Sequence, residues 1–139
     1  MIRPGRFYVA GEAEAPALVL SAPLSFWGGV AAQSGDIIDH SHPDLGKSVN
    51  GRILVMPSGR GSSSSSSVLA ETIRLGAGPR AIVLARADPI LTVGALVALS
   101  LYGAACPIVV CAIDDFVTDD RIRIRKLSAT EAEIDVLPP

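Results

Sequence analysis

The chain is poor in aromatic side chains, in charge and in cysteine. Three Phe, two Tyr and one Trp among 139 residues leave little for a surface that grips nucleic acid by stacking its bases. Twelve Lys and Arg against 14 Asp and Glu give a formal net charge of -2. That balance lacks the basic footprint with which proteins hold DNA, RNA or an anionic membrane. The longest apolar stretch, residues 90–105, is interrupted by Gly94 and Gly103, and it is shorter than the ~20 residues of a membrane span. The N-terminal MIRPGRFYVAGE holds no apolar run of the kind a secretory leader needs. Cys106 and Cys111 are the only cysteines, so the expectation is a cytoplasmic protein with both thiols free.

Apolar residues make up 49% of the chain and charged ones 19%, a globular composition. The length suits one domain, taken as residues 1–139. An apolar surplus in so small a domain also fits burial against another chain. Four short apolar runs read as strands: Pro16–Ser21, Gly51–Met56, Arg80–Ala85 and Pro107–Ala112. Arg121–Lys126 alternates strictly, which predicts a strand with one wet face, and Glu133–Leu137 is its expected partner. Helices are expected over Val68–Leu75, stopped by Gly76-Ala77-Gly78-Pro79, and over Thr92–Tyr102, stopped by Gly103. The centre therefore reads strand–helix–strand–helix–strand. Its continuous apolar strands suit an α/β sheet buried on both faces.

Between the second strand and the first helix lies PSGRGSSSSSS, residues 57–67. A flexible linker belongs between two domains, and neither flank here is large enough to be one. The stretch is better read as a strand–loop–helix turn. Gly59 and Gly61 permit positive φ and close backbone approach. The serines supply N-caps and hydroxyls, and the helix N-terminus presents free N–H groups suited to a carboxylate or phosphate. Arg60 adds a bidentate cation. A helix cap with surplus polar residues remains the plain alternative. The run is no Walker A loop, since it lacks Gly-Lys, and no nucleophile elbow, since no glycine follows the serines. A stand-alone serine hydrolase therefore fits poorly, since the two histidines also lie outside any recognisable triad.

Residues 25–98 carry a resemblance. Ser25-Phe26-Trp27-Gly28-Gly29, Gly35-Asp36-Ile37-Ile38-Asp39, His42-Pro43, Gly46-Lys47-Ser48-Val49 and Pro57-Ser58-Gly59-Arg60-Gly61-Ser62-Ser63 occur in this order. The combination resembles the small subunit of aconitase X, the swivelling domain of a branch of the aconitase superfamily. The resemblance implies a swivelling β/β/α domain: a central sheet with flanking helices and an extra β segment. It implies a hydro-lyase that removes water from a hydroxy acid, inactive without a large subunit. That subunit would carry the iron or iron–sulfur centre on cysteines, and this chain lacks the cysteine set. Cys106 and Cys111, in and around a buried strand, read as core residues.

Dehydration of a hydroxy acid takes a proton from beside a carboxylate and releases a hydroxide, and a Lewis-acidic iron suits the hydroxide. The resemblance implies that the base is a serine directly after a glycine, which places it at Ser62. Serine needs its alkoxide stabilised, as a helix N-terminus with nearby cations does. Ser63, Arg60, Gly61 and Ser64 are the implied substrate-binding residues. Ser64 stands where the superfamily loop has arginine, so that cation comes from Arg60 or from the partner, and Ser62 and Ser63 both remain candidates for the base. Family members dehydrate either cis-3-hydroxy-L-proline, giving a pyrroline carboxylate, or phosphomevalonate. An Ala-, Gly- and Arg-rich composition and a loop that continues in serine rather than Gly and Tyr favour the hydroxyproline. A non-catalytic anion-binding module stays as the reading of another class.

Three further residues are candidates for the cleft. Trp27, beside two glycines, either lines the substrate site or anchors an interface or the core. His40 and His42, in Asp39-His40-Ser41-His42-Pro43, either act directly or stabilise a turn. Asp114-Asp115 reads as a solvated turn after a strand, and Lys47 as a surface charge. No metal ligand set is expected in this chain.

Overall fold

The sheet closes on itself through the pairing of its first and last strands. The computed structural model describes residues 2–139, with β1 (Ile2–Val9), β2 (Ala13–Val19), β3 (Ile53–Met56), α1 (Ser65–Arg74), β4 (Ala81–Leu84), α2 (Pro89–Tyr102), β5 (Ile108–Val110), β6 (Arg121–Lys126) and β7 (Glu131–Val136) in chain order. The strands form one closed barrel, β1-β5-β4-β3-β2-β6-β7, in which β7 returns to β1. β2, β3, β4 and β5 run parallel, while β1, β6 and β7 pair antiparallel with their neighbours.

The buried strands serve two cores. Ile53 and Val55, Ala81 and Val83, Ile122 and Ile124, and Ala132 and Ile134 point into the barrel and fill it, as a small barrel requires. Leu54 and Met56, Ile82 and Leu84 point outward and pack under the helices with Leu69, Ile73, Leu91, Ala95 and Ala98. This double duty explains why β3 and β4 are apolar at every position, and why β6, wet on one side, alternates instead.

The expected α/β architecture of a central sheet with flanking helices holds, with three adjustments. β1 precedes Pro16–Ser21, the first strand expected from the sequence; Gly5 is its point of closest approach, where a Cβ would run into Ile134 and Val109. α1 begins at Ser65 rather than Val68, so half of the serine run is helix. α2 begins at Pro89 rather than Thr92, because Asp88 caps it: its Oδ1 accepts the N–H groups of Ile90 at 2.9 Å and Leu91 at 3.0 Å.

The connection between β2 and β3 covers one end of the barrel without regular elements. It buries Leu24, Phe26, Val30, Ile37 and Val49 in the outer core. Among the described residues no helix is long and apolar enough to cross a membrane.

Candidate functional site

β3 and β4 run parallel and end side by side, and the loops that leave them meet at one end of the barrel. The amides of Ala85 and Arg86, after β4, both donate to the Pro57 carbonyl after β3, at 3.2 Å each. Leu24, on the long connection, bridges to Gly59. Three segments thus converge where α1 begins, outside the carboxyl ends of parallel strands, the place where α/β sheets hold ligands.

The serine run divides its work residue by residue. The Ser62 carbonyl accepts the Ser65 amide at 3.0 Å, and the Ser63 carbonyl takes the Ser66 amide and hydroxyl at 3.2 and 2.9 Å. The Ser64 amide donates to Ser62 Oγ at 3.1 Å. Ser64 occupies the N-cap position, but its side chain makes no capping bond. The expected serine cap is supplied instead two residues earlier, by Ser62. Among the described residues the amides of Gly61, Ser62 and Ser63 donate to no acceptor, which leaves three free donors next to the positive end of α1.

Gly61 holds this conformation at φ +92°, and a Cβ there would collide with the Ser25 hydroxyl. Gly61 and Ser63 are exposed, and Ser62 and Ser64 are half-buried. Arg60 is exposed and close enough to the 39–42 turn to help hold the Asp39 carboxyl below its usual range; the Ser41 hydroxyl and then the Ser41 amide contribute more to that depression. Arg86 also reaches this end, donating to Ser58 Oγ at 3.1 Å.

Of the three cleft candidates, Trp27 is 58% exposed beside the loop, so it is not a core anchor. His42 is buried, with both ring nitrogens committed. Nδ1 accepts the Asp44 amide at 3.0 Å, and Nε2 faces the Ala22 carbonyl at 3.2 Å. An Nδ1 that accepts an amide proton leaves the ring proton on Nε2, and the two bonds make His42 the pin of its turn. His40 is exposed, with no hydrogen bond among the described residues.

Two residues to which the sequence assigned no role in the site, Ser65 and Ser25, complete the geometry. Ser65 is 3% exposed, and its Oγ accepts the Trp27 amide at 3.0 Å. Ser25 Oγ donates to the Trp27 carbonyl at 3.0 Å and meets Ser65 Oγ at 3.3 Å. One serine among six carries no signal of which neighbour it will face. Asp88, by contrast, precedes a proline, and an Asp-Pro pair is a readable helix start.

Iron does not fit this chain's own side chains. Among the described residues no three His, Cys, Asp or Glu groups stand together. Burial pushes the Cys106 thiol up to about 12, and burial pushes Cys111 to about 11 despite the nearby Arg3 charge. Neither is a ready thiolate ligand. A hollow of about 480 Å³ lies at the start of β2, lined by Glu12, Glu14, Arg123 and Arg125, at the opposite end from the serine loop. Its Glu14 carboxylate is already paired with Arg121 and Arg123.

The sequence of residues 2–134 matches the family model of the aconitase X swivel domain. A cis-3-hydroxy-L-proline dehydratase of Hypocrea jecorina is 46% identical over 112 residues, 81% of this chain. The chain spans about a fifth of that relative's length, 19%. The phosphomevalonate dehydratase small subunit of Pyrococcus horikoshii is 35% identical, with 96% of this chain and 90% of that one covered. The crystal structure of Thermococcus kodakaraensis aconitase X in its holo-form superposes with a TM-score of 0.84 at 31% identity, covering 96% of each chain.

Proposed function

Since the chain belongs to the aconitase X swivel-domain family, we propose that residues 1–139 are the swivelling part of a hydro-lyase, and that Ser62 is the base that takes the proton beside the substrate carboxylate. The observation that carries the reading is the N–H of Ser64 aimed at Ser62 Oγ. A donor fixed on that oxygen, at the positive end of α1, stabilises the alkoxide that serine needs to act as a base. The Ser63 hydroxyl has no such donor, which favours Ser62 of the two.

The substrate carboxylate lies, in this proposal, against the free amides of Gly61, Ser62 and Ser63. Arg60 replaces the arginine that Ser64 does not provide, and Trp27 closes one side. Ser64 contributes its amide rather than its side chain. The iron or iron–sulfur centre belongs to a large chain that completes the site, and this chain's part is confined to proton removal and carboxylate binding. Two thiols kept protonated and inert fit a cytoplasmic setting.

The substrate we favour is cis-3-hydroxy-L-proline, on the 46% identity to the Hypocrea jecorina enzyme and the loop that continues in serine. The second reading, phosphomevalonate, is supported by the Pyrococcus horikoshii small subunit, whose length this chain nearly matches. An anion-binding module without catalysis is the remaining alternative.

The test is turnover of cis-3-hydroxy-L-proline by this chain assembled with its large chain. Ser62→Ala should lower kcat by about 10²–10⁴-fold, the range of a lost general base, with the complex intact. Ser63→Ala should mainly raise KM. Equal activity in Ser62→Ala would remove it as the base. Activity on phosphomevalonate alone would keep the lyase and change the substrate, and no activity on either with a stable complex would leave the binding module.

A further inference from the structure

We propose that the outer side of α2 is the surface on which the large chain docks, a proposal that rests on the dehydratase reading above. α2 holds no charged residue from Pro89 to Tyr102. Leu91, Gly94, Ala95 and Ala98 face the domain's own core. The opposite side is also apolar: Val93, Leu96, Val97 and Leu101 are 50%, 46%, 38% and 67% exposed. Their spacing of three, four and eight residues from Val93 makes them one stripe. A helix that is apolar all round belongs in an interior. α1 shows the usual alternative, with Glu71 and Arg74 paired on its wet side.

Position identifies the occupant. Gly94 packs against the backbone of Ser66, and Asp88, the α2 cap, lies against Gly59. The N-terminal end of α2 therefore lies beside the serine loop, so a chain that covers both Ser62 and the outer side of α2 spans neighbouring elements. A second copy fits less well. A stable pair of proteins uses about 20–30 residues a side, and the face of one helix of 14 residues falls short. A partner that spans both the loop and α2 reaches that extent. The Hypocrea jecorina relative has about four fifths of its length beyond the part matched here, enough chain for such a partner. A lipid surface is disfavoured, because interfacial helices carry Lys or Arg on their polar side and α2 carries neither.

The experiment measures the affinity of the full chain for its large chain by calorimetry, with Leu96→Asp/Leu101→Asp as the variant. Leu127→Asp, 62% exposed in the β6–β7 turn at the other end of the barrel, is the control. The double variant should bind at least ~100-fold more weakly, the control should bind as the parent does, and both should keep the parent's thermal midpoint as free chains. If the double variant is unfolded, Val93→Gln/Leu101→Gln takes its place, with a loss of at least ~10-fold expected. A folded variant that binds as the parent does overturns the α2 surface and leaves the dehydratase reading standing. A free chain that is dimeric, and becomes monomeric in the variant without change in affinity for the large chain, assigns the face to a second copy and overturns the proposal. No complex between the parent and the large chain overturns both readings.

Discussion

The buried hydroxyl of Ser65 accepts the backbone N–H of Trp27 at 3.0 Å, across 38 residues of chain. That bond ties the long connection after β2 to the first turn of α1. It sets an exposed tryptophan beside the serine loop. The run of six serines is therefore not redundant: Ser62 receives a backbone N–H, Ser64 gives one, and Ser65 holds a neighbouring segment.

Ser65→Ala should loosen Trp27 without unfolding the domain. One neutral hydrogen bond contributes about 0.5–1.5 kcal/mol, so the thermal midpoint should fall by a few degrees. Trp27 is the single tryptophan, so its fluorescence reports the turn directly. Acrylamide should quench it more readily in Ser65→Ala than in the parent. Identical quenching in the two would show that the hydroxyl does not hold the turn.

Gly61→Ala should cost more than a lost hydrogen bond. The residue sits at φ +92°, and the new methyl would meet the Ser25 hydroxyl. Left-handed backbone alone costs a non-glycine residue roughly 1–2 kcal/mol, and Ser25 must also move, releasing its bond to Trp27. We expect a loss of about 2 kcal/mol or more in urea unfolding. Ser25→Gly in the same chain should restore part of that loss by clearing the clash. A substitution at Gly61 with no effect on stability would mean that the loop readily takes another path.

Much of this arrangement can be read from residue order, and the reasons for the rest are physical. Arg121–Lys126 alternates because one side of β6 is wet, and the structure places it as expected. The runs behind β3 and β4 reveal burial on two sides, but not that the sheet closes. Closure depends on β1, which no continuous apolar run marks in the sequence and whose Gly5 packs against Ile134 and Val109. In the candidate site, Gly61 and the serine loop stand out by composition. His42 does not announce that the backbone takes both its nitrogens. Ser65 is hidden among identical neighbours, since its partner lies far away in the sequence.

Asp88→Ala should destabilise the domain by about 0.5–2 kcal/mol, the usual loss when a helix cap is removed. Asp88 Oδ1 alone satisfies the first two free amides of α2 after Pro89. Asp88→Asn keeps an acceptor at that position and should retain most of the stability in chemical denaturation. Equal losses in the two variants would place the effect in charge rather than in capping.

The two thiols predict a loss of stability in alkali with a defined sign. Burial raises Cys106 from 9.0 to about 12 and Cys111 from 9.0 to about 11. Below pH 9 both are protonated whether the chain is folded or not, and their contribution is fully present. Above it the unfolded chain releases thiol protons that the folded chain retains, so the unfolded state gains. The contribution falls by about 1.4 kcal/mol per pH unit for each thiol, until the folded thiol itself ionises. Urea unfolding of the parent and of Cys106→Ala between pH 8 and about pH 11 isolates this effect from other alkaline groups. The parent's advantage over the variant should be constant below pH 9 and should shrink above it. Parallel curves across the range would mean that the Cys106 thiolate is tolerated in the fold. Through the same range, a thiol reagent at pH 8 should modify Cys106 only after the chain is unfolded, since the folded thiol is both covered and protonated.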